Sequence, residues 1–227
     1  MIARLIESVE IAPAVRHFVF EAPELEKLEF VPGQFVSLNA TIGGKHITRA
    51  YSLASAPSGS NRFELCLNLV TEGAFSPHLF AMKTGDEVEM RQPLGMFTLR
   101  NPPRDSILIA TGTGIAPMRS ILLQHLTDVA FTLLFGVRHE HGLLYRQEFE
   151  EMAQRVPTFK FVPTLTRPDP SWTGRSGRVQ EHLREAIGDR RDIDVFICGL
   201  KPMVNEVRNI LREMGFDRKQ IFFEKYD

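Results

Sequence analysis

The segment RAYSLAS (49–55) puts three chemically distinct side chains within four positions. A guanidinium such as that of Arg49 binds phosphate through a planar fork of donors. The face of Tyr51 suits a flat ring, and the Ser52 hydroxyl can donate and accept hydrogen bonds. Alternation along a strand puts Arg49 and Tyr51 on one face and Ser52 on the other. The residue types predict either a binding strand for a planar, phosphate-bearing ligand or a strand with a surface arginine and a packed tyrosine.

A glycine loop, ATGTGIAP (110–117), follows an apolar run and opens a helical pattern. Glycines let the backbone approach a phosphate, and a helix N-terminus supplies free N–H groups. The dinucleotide fingerprint is incomplete, because Pro117 replaces the third glycine and the next strand ends in GVRH without an acid. The loop therefore predicts a tight turn or a nucleotide site, and it disfavours an ordinary NAD-dehydrogenase domain.

The two halves of the chain that contain these motifs have different hydrophobic patterns. Up to about residue 100, six short alternating runs separated by turn residues predict an antiparallel barrel or sandwich, and we favour a β-barrel. Residues 74–82 are the exception, a short helix with Ser76 as a possible cap and Pro77 in its first turn. From residue 105, five apolar strands alternate with four helices, which predicts a five-stranded parallel doubly wound sheet. With NPPRD (101–105) as linker, we expect two domains, 1–101 and 102–227.

Composition excludes several classes of protein. The 27 basic and 28 acidic residues nearly cancel, which gives no argument for nucleic-acid or membrane binding. Two cysteines are too few for a metal cluster or a disulfide scaffold, so we expect no metal. The alternating N-terminus is typical of a strand and not of a signal peptide, and no apolar run approaches the roughly 20 residues of a membrane span. We expect a cytoplasmic protein.

Taken together, the motifs resemble those of the ferredoxin–NADP reductase family, flavoenzymes with an FAD-binding barrel followed by a pyridine-nucleotide domain. The matching motifs, in family order, are RAYS (49–52), EGAFS (72–76), ATGTGIAP (110–117), ICG (197–199) and FEKY (223–226). They extend over nearly the whole chain.

The resemblance implies an FAD site on the barrel. Arg49 would pair with the FAD pyrophosphate, Tyr51 would stack on the isoalloxazine ring, and Ser52 would hydrogen-bond near the ring nitrogen that accepts hydride. The start of the short helix would bind the same pyrophosphate through its backbone N–H groups. The implied FAD residues are Arg49, Ala50, Tyr51, Ser52, Cys66, Leu67, Asn68, Gly73, Ala74, Phe75, Ser76, Thr113 and Tyr226.

The resemblance also implies the catalytic residues Ser52, Cys198, Glu224 and Tyr226. Cys198 would lie against the nicotinamide and orient it. Glu224 would lie near Ser52 and Cys198 as a proton relay or a positioning charge. Tyr226 would cover the flavin face opposite Tyr51 and move aside, because hydride transfer needs an approach of roughly 3–3.5 Å.

The choice between NADPH and NADH depends on cations that can bind the 2′-phosphate, which only NADPH carries. Arg138, Arg167 and Arg175 are expected in loops after strands of the second half, and Thr166-Arg167 matches the hydroxyl–arginine pair of NADP-dependent members. They could also be solvated loop arginines. We favour NADPH, with NADH as the weaker donor. The implied nucleotide residues are Gly112, Thr113, Gly114, Arg138, Thr166, Arg167, Arg175, Cys198 and Gly199.

The resulting expectation is a monomer that transfers hydride from NAD(P)H to FAD and passes electrons to ferredoxin or flavodoxin. The chain lacks the additional cysteines of an iron–sulfur cluster, so the acceptor is expected to be a separate molecule. Two alternatives stay open: a flavin reductase that uses diffusible flavin, and a non-catalytic nucleotide-binding regulatory module.

Overall fold

The computed structural model describes residues 1–226 of the 227-residue chain. The chain forms two compact units. Unit 1 comprises Met1–Thr98 together with Arg119–Gln124, and unit 2 comprises Leu99–Met118 and the residues from His125 onward. One helix thus contributes residues to both units. The sequence-based boundary between residues 101 and 102 stays a prediction.

Unit 1 is an antiparallel β structure with one short helix. Its strands are β1 (Ile2–Ala12), β2 (Val15–Glu21), β3 (Phe35–Ile42), β4 (Lys45–Ser52), β5 (Arg62–Asn68) and β6 (Glu87–Met90), and its helix is α1 (Phe75–Ala81). The strand order is β4-β3-β6-β1-β2-β5. All six predicted strands are present.

The two outer strands of this sheet meet. Leu53, just beyond β4, forms an antiparallel bridge with Leu65 of β5, and the Ala54 N–H donates to the Glu64 carbonyl at 2.8 Å. These contacts close the sheet into the expected barrel, which removes its exposed edges. Stacked phenylalanines fill the interior, with ring centroids 5.6 Å apart for Phe20 and Phe63.

The cap of α1 differs from the prediction. Ala74 precedes the helix without a side-chain cap bond. The Ser76 hydroxyl lies inside the first turn, where it accepts from the Val70 N–H at 2.9 Å and donates to the Val70 carbonyl at 3.4 Å. Ser76 therefore fixes the loop that leads into the helix and does not cap the helix.

Unit 2 is a parallel sheet with helices. Its strands are β7 (Ser106–Thr111), β8 (Phe131–Val137), β9 (Phe159–Leu165), β10 (Arg175–Ser176), β11 (Asp194–Leu200) and β12 (Ile221–Tyr226). The helices are α2 (Ile115–His125), α3 (Arg146–Arg155), α4 (Val179–Ile187) and α5 (Lys201–Glu213). Within α2, residues 119–124 belong to unit 1.

The strand order β10-β9-β8-β7-β11-β12 is that of a doubly wound sheet. The five predicted strands and four predicted helices are present, and the two-residue strand β10 makes a sixth. Such a short strand leaves no periodic pattern in the sequence. The strand order reverses between β7 and β11, and ligands of this architecture bind at the carboxyl ends of the strands at such a point.

Successive side chains along a strand lie on opposite faces of the sheet, so the register shows which residues share a face. Val195 and Ile197 of β11 pack with the apolar residues of α4 and α5. In the parallel register with β12, Ile197 is opposite Phe223 and Cys198 is opposite Glu224. Phe223 therefore shares the α4–α5 face, whereas Cys198 and Glu224 share the other face.

A buried ion pair fixes the start of β11. Asp194 is 1% exposed, and its carboxylate accepts two hydrogen bonds from Arg100 at 2.5 and 2.6 Å. Arg100 also donates to the Lys219 carbonyl at 3.0 Å. Because a buried carboxylate without a partner is costly, Arg100, the residue before the linker, holds the 3₁₀ turn before β12 against the start of β11.

Candidate functional site

In unit 1 the last residues of β4 form an aromatic and cationic strip. The Tyr51 ring packs against the barrel core and lies 6.1 Å from the Phe75 ring at the start of α1. Burial raises the pKa of Tyr51 to about 12, and Arg49 opposes this shift. The phenol is therefore neutral at physiological pH. β4 and α1 thus bring together two of the sequence motifs expected to bind one ligand.

Arg49 is exposed. Its guanidinium donates to the neighbouring Thr48 carbonyl at 2.8 Å, and among residues 1–226 it has no carboxylate within salt-bridge distance. A cation without a counter-ion beside a half-buried aromatic ring fits a ligand that carries both phosphate and a planar ring.

The other residues expected to bind FAD divide into side chains that face the core and exposed positions. Leu67 and Phe75 belong to the barrel core, and Cys66 is 6% exposed. These three residues can offer a ligand mainly their backbone groups. Asn68, Gly73 and Ala74 are exposed. Ser52 is buried and belongs, like Ala50, to β4.

In unit 2 the glycine loop packs on the end of β11 at the switch point. A Cβ on Gly114 would lie 2.3 Å from the Cys198 carbonyl oxygen. A Cβ on Gly199 would lie 2.2 Å from the Thr111 hydroxyl oxygen. Only glycine permits these approaches, so the two motifs ATGTG and ICG form one surface. Gly112 and Thr113 complete the loop as a 3₁₀ turn (Gly112–Gly114).

Thr111 is a candidate site residue that the sequence motifs did not single out. Its hydroxyl oxygen is buried, and no partner for it lies among the described residues. An orphaned polar atom at the switch point fits a bound ligand that supplies the missing hydrogen bond. The signal was present, since Thr111 lies within the glycine motif, but only the fold puts its side chain beside Gly199.

Three of the expected catalytic residues come together in unit 2. Cys198 of β11 is paired in register with Glu224 of β12, and Leu200 with Tyr226. Burial raises the pKa of the Cys198 thiol well above its usual range; a hydrogen bond from Tyr226 opposes the shift, and the Glu224 charge adds to it. Cys198 is therefore a neutral thiol that can pack against a ligand and is a poor nucleophile. Ser52, the fourth expected residue, belongs to unit 1.

Two of the predicted phosphate-binding arginines are neighbours. The Arg167 N–H donates to the Arg138 carbonyl at 2.8 Å, and the adjacent Thr166 N–H donates to Val137 at 3.0 Å. Arg138, Thr166 and Arg167 are exposed. Within the described chain, neither arginine has an acidic partner at salt-bridge distance. β8 and β9 thus carry an uncompensated pair of cations at their carboxyl ends.

Arg175 differs from the expectation of a loop cation. It begins β10, and its guanidinium makes two hydrogen bonds of 2.5 Å to the Glu185 carboxylate of α4. The hydrogen bonds from Arg175 lower the pKa of Glu185. Arg175 is therefore already neutralised, unlike Arg138 and Arg167.

The described residues form neither a metal-ligand cluster nor a membrane-spanning helix. In residues 1–226, no three His, Cys, Asp or Glu side chains lie close enough together to hold a metal ion. The longest helix of the same range, α5, has 13 residues, and no helix there is long and apolar enough to cross a membrane.

Two family models match successive parts of the chain. Residues 2–99 match the oxidoreductase FAD-binding domain family. Residues 108–209 match the oxidoreductase NAD-binding domain family. The cofactors are therefore FAD and a nicotinamide nucleotide.

Two curated relatives cover most of the chain. Ferredoxin–NADP reductase B of Sorangium cellulosum is 40% identical, over 99% of this chain and 97% of its own length. The toluate 1,2-dioxygenase electron transfer component of Pseudomonas putida is 30% identical over 91% of this chain, which spans only 61% of that protein.

A solved structure extends the likeness to the whole fold. A ferredoxin–NADP⁺ reductase from Neisseria gonorrhoeae with bound FAD and NADP has a TM-score of 0.86 and is 25% identical. The match covers 99% of this chain and 98% of that one. With a near full-length relative at 40% identity and both halves of the fold assigned, the chain belongs to the ferredoxin–NADP reductase family and is an FAD- and nicotinamide-dependent oxidoreductase.

Proposed function

We propose that this protein oxidises NADPH and delivers the electrons to a separate carrier protein of the ferredoxin or flavodoxin type. Bound FAD supplies the chemistry, because it accepts a hydride and can release electrons one at a time. The protein contributes binding, alignment and exclusion of side reactions. We also expect a cytoplasmic monomer.

In this proposal each unit binds one cofactor. Arg49 pairs with the FAD pyrophosphate, assisted by the backbone N–H groups from Gly73 to Ser76, and Tyr51 stacks on the ring. Ser52 hydrogen-bonds beside the reactive nitrogen. In unit 2, the Gly112–Gly114 turn binds the nucleotide pyrophosphate.

The nicotinamide lies against Cys198 and Gly199 in this proposal, and the Thr111 hydroxyl completes its hydrogen bonding there. Glu224 holds or moves a proton. Tyr226 covers the flavin ring until the nicotinamide enters. The neutral state of Cys198 supports a packing role, because a thiolate would place a charge against the nicotinamide.

The preference for NADPH rests on the Arg138–Arg167 pair. These two arginines have no carboxylate partner in the described chain, and no acid ends β8 to repel a phosphate. Each charge-assisted hydrogen bond to a phosphate contributes about 1.5–3 kcal/mol. NADH lacks the 2′-phosphate and cannot form these bonds.

The test is steady-state kinetics with both nucleotides. We expect Arg167→Ala and Arg138→Ala each to raise the KM for NADPH roughly ten- to a hundredfold and to leave the KM for NADH unchanged. Arg155→Ala, which removes an exposed arginine from the last turn of α3, is the matched control. Arg175→Ala should have a smaller effect than either, because Glu185 already binds that side chain. An unaltered NADPH/NADH ratio in the Arg167 and Arg138 variants would refute the phosphate assignment.

Anaerobic spectroscopy separates the proposal from its alternatives. A tightly bound FAD makes the purified protein yellow, and NADPH should bleach it. A reductase of diffusible flavin would be purified colourless. A regulatory module would show no bleaching of any bound flavin by either nucleotide.

A further inference from the structure

The residues that follow β4 have no role in the proposed chemistry. β4 ends at Ser52, and residues 53–55, which we call the corner segment, connect it to the closure of the barrel. Within this segment, Leu53 forms the bridge to Leu65 of β5. Tyr51 and Ser52 lie immediately before the corner segment, so its conformation fixes the direction in which the strand that carries them ends.

The N–H groups of the corner segment bond to residues of the neighbouring strands. The Leu53 N–H donates to the carbonyl of Gln34, which precedes β3, at 2.9 Å. The Ala54 N–H donates to the Glu64 carbonyl of β5 at 2.8 Å, and the Glu64 N–H donates in turn to the Ser55 hydroxyl at 3.1 Å. Ala54 and Ser55 are buried, so their carbonyl oxygens also need donors.

Helix α2 supplies donors for both carbonyls. The Arg119 guanidinium donates to the Ala54 carbonyl at 2.7 Å, and the Ser120 hydroxyl donates to the Ser55 carbonyl at 2.6 Å. Ser120 is fully buried. Residues 119–124 of α2 belong to unit 1, the unit that carries the FAD motifs. Two consecutive residues of one helix thus bind two consecutive carbonyls of the corner segment.

A carboxylate holds the Arg119 guanidinium in this position. The nitrogen that donates to the Ala54 carbonyl, Nη1, also donates to the Glu64 carboxylate at 2.6 Å. The Arg119 side chain is 13% exposed and the Glu64 side chain 30%, which shields the pair from water. Charge-assisted hydrogen bonds are roughly twice as strong as neutral ones. β5 thus contacts the corner segment directly through its backbone and a second time through Arg119.

Loss of these donors would loosen the corner segment without removing the acceptors of its own N–H groups. A buried carbonyl without a donor costs free energy, so the segment would populate conformations in which the Ala54 and Ser55 carbonyls reach water. A ligand that binds only the ordered conformation loses affinity in proportion to the fraction of molecules that has it. The affinity for a ligand of Tyr51 and Ser52 therefore reports the order of the corner segment.

We propose that Arg119 and Ser120 are positioning residues for FAD, because they hold the corner segment so that Tyr51 and Ser52 keep the orientation that binds the flavin ring. This assignment rests on the proposed function, in which Tyr51 stacks on the ring and Ser52 hydrogen-bonds beside its reactive nitrogen. Arg119 and Ser120 act through the backbone of residues 53–55. The inference therefore adds to the FAD site two residues of α2 that lie outside the sequence motifs.

The test compares three variants at these two positions with one control, all in the FAD-loaded protein. Arg119→Met removes the guanidinium and keeps an apolar stem, Arg119→Lys keeps the charge and one donor nitrogen, and Ser120→Ala removes only the hydroxyl. Arg4→Met is the matched control. Arg4 also pairs with carboxylates of the barrel, Glu21 and Glu87, but it joins β1 to β2 and β6.

FAD affinity is measured by serial dilution, which releases flavin and raises its fluorescence, and hydrogen exchange is measured at the Leu53 and Ala54 amides with excess FAD. We expect Arg119→Met to raise the Kd for FAD roughly tenfold or more, and Ser120→Ala to raise it roughly two- to tenfold. In Arg119→Met the two amides should exchange roughly tenfold faster than in the wild type. Arg119→Lys should lie between the wild type and Arg119→Met, because both bonds come from one nitrogen. Arg4→Met should match the wild type in both measurements.

An unchanged Kd for FAD, or unchanged exchange at the two amides, in Arg119→Met overturns the positioning role. A Kd raised equally by Arg4→Met also overturns it, because the effect would then be one of general stability. If Arg119→Met does not fold, an unchanged Kd in Ser120→Ala overturns the proposal. The proposed function fails separately, if NADPH does not bleach the flavin bound to the wild type, and the affinity and exchange results then still decide the role of Arg119 and Ser120.

Discussion

Gly199 offers the most stringent test of the geometry at the switch point. Its φ of +151° is unfavourable for other residues, and a Cβ there would lie 2.2 Å from the Thr111 hydroxyl oxygen and 2.8 Å from the Met203 methyl carbon. Backbone strain costs about 1–3 kcal/mol, and overpacking adds about 1–3 kcal/mol. Gly199→Ala should therefore destabilise the protein by about 2–6 kcal/mol.

Gly215 provides the matched control. It has a φ of +86°, and nothing lies within 4 Å of the position of its Cβ. Gly215→Ala should lose only the strain contribution. In thermal unfolding, the Tm of Gly199→Ala should fall about 2–12 °C below that of Gly215→Ala, at roughly 2–4 °C per kcal/mol for a chain of this size.

A second substitution tests whether the contact with Thr111 causes the loss of stability in Gly199→Ala. Thr111→Ala removes the nearest atom and should recover part of the stability lost in Gly199→Ala. Thr111→Ala alone should cost little, because it deletes an unpartnered buried hydroxyl. Titration with NADP⁺, followed by flavin absorbance, should detect weaker binding in Gly199→Ala. Equal Tm values for Gly199→Ala and Gly215→Ala would refute the contact between the two motifs.

Two further predictions concern unit 2. Arg100→Met leaves the Asp194 carboxylate buried without its partner and should cost about 3–5 kcal/mol in denaturant unfolding; Arg104→Met, which breaks the exposed pair with Asp192, should cost less than about 1 kcal/mol. Equal losses would contradict the burial of Asp194. Cys198, whose thiol pKa is raised by burial, should resist iodoacetamide at pH 8 in the folded protein. The raised pKa contributes stability that is fully present below the ordinary thiol pKa of 9.0 and is lost progressively as pH rises above it. Cys198→Ser should therefore lose less stability than the wild type between pH 9 and 11, and rapid alkylation of native Cys198 would contradict its burial.

Much of the fold follows from local periodicity. Alternation with period two predicted the six strands of unit 1, and apolar runs separated by helical patterns predicted β7, β8, β9, β11 and β12 with their four helices. Contacts between side chains that are distant in sequence could not be predicted from local periodicity. The closure of the barrel through Leu53 and Leu65 also depends on tertiary packing.

The candidate site was predictable in its residue types and less so in its contacts. The motifs located Arg49, Tyr51 and the glycine turn, because phosphate and flat rings require particular side chains. The neutralisation of Arg175 by Glu185 needs α4 beside β10, which no local pattern encodes. The prediction that Ser76 caps α1 was wrong, because the Ser76 hydroxyl forms hydrogen bonds with the Val70 backbone in the preceding loop. Helix-capping preferences do not take such a partner into account.

Strand β12 has a consequence for how this chain can change in length. Its odd-numbered residues Phe223 and Lys225 face α5, and its even-numbered residues Glu224 and Tyr226 lie on the Cys198 side. A one-residue insertion or deletion that shifted the strand in its ladder would exchange these two sets. It would bring Phe223 or Lys225 beside Cys198 and move the Glu224 carboxylate to the α5 side of the strand. A one-residue insertion or deletion within β12 should therefore be tolerated less well than one in the connection before it, which can absorb the change without shifting the ladder.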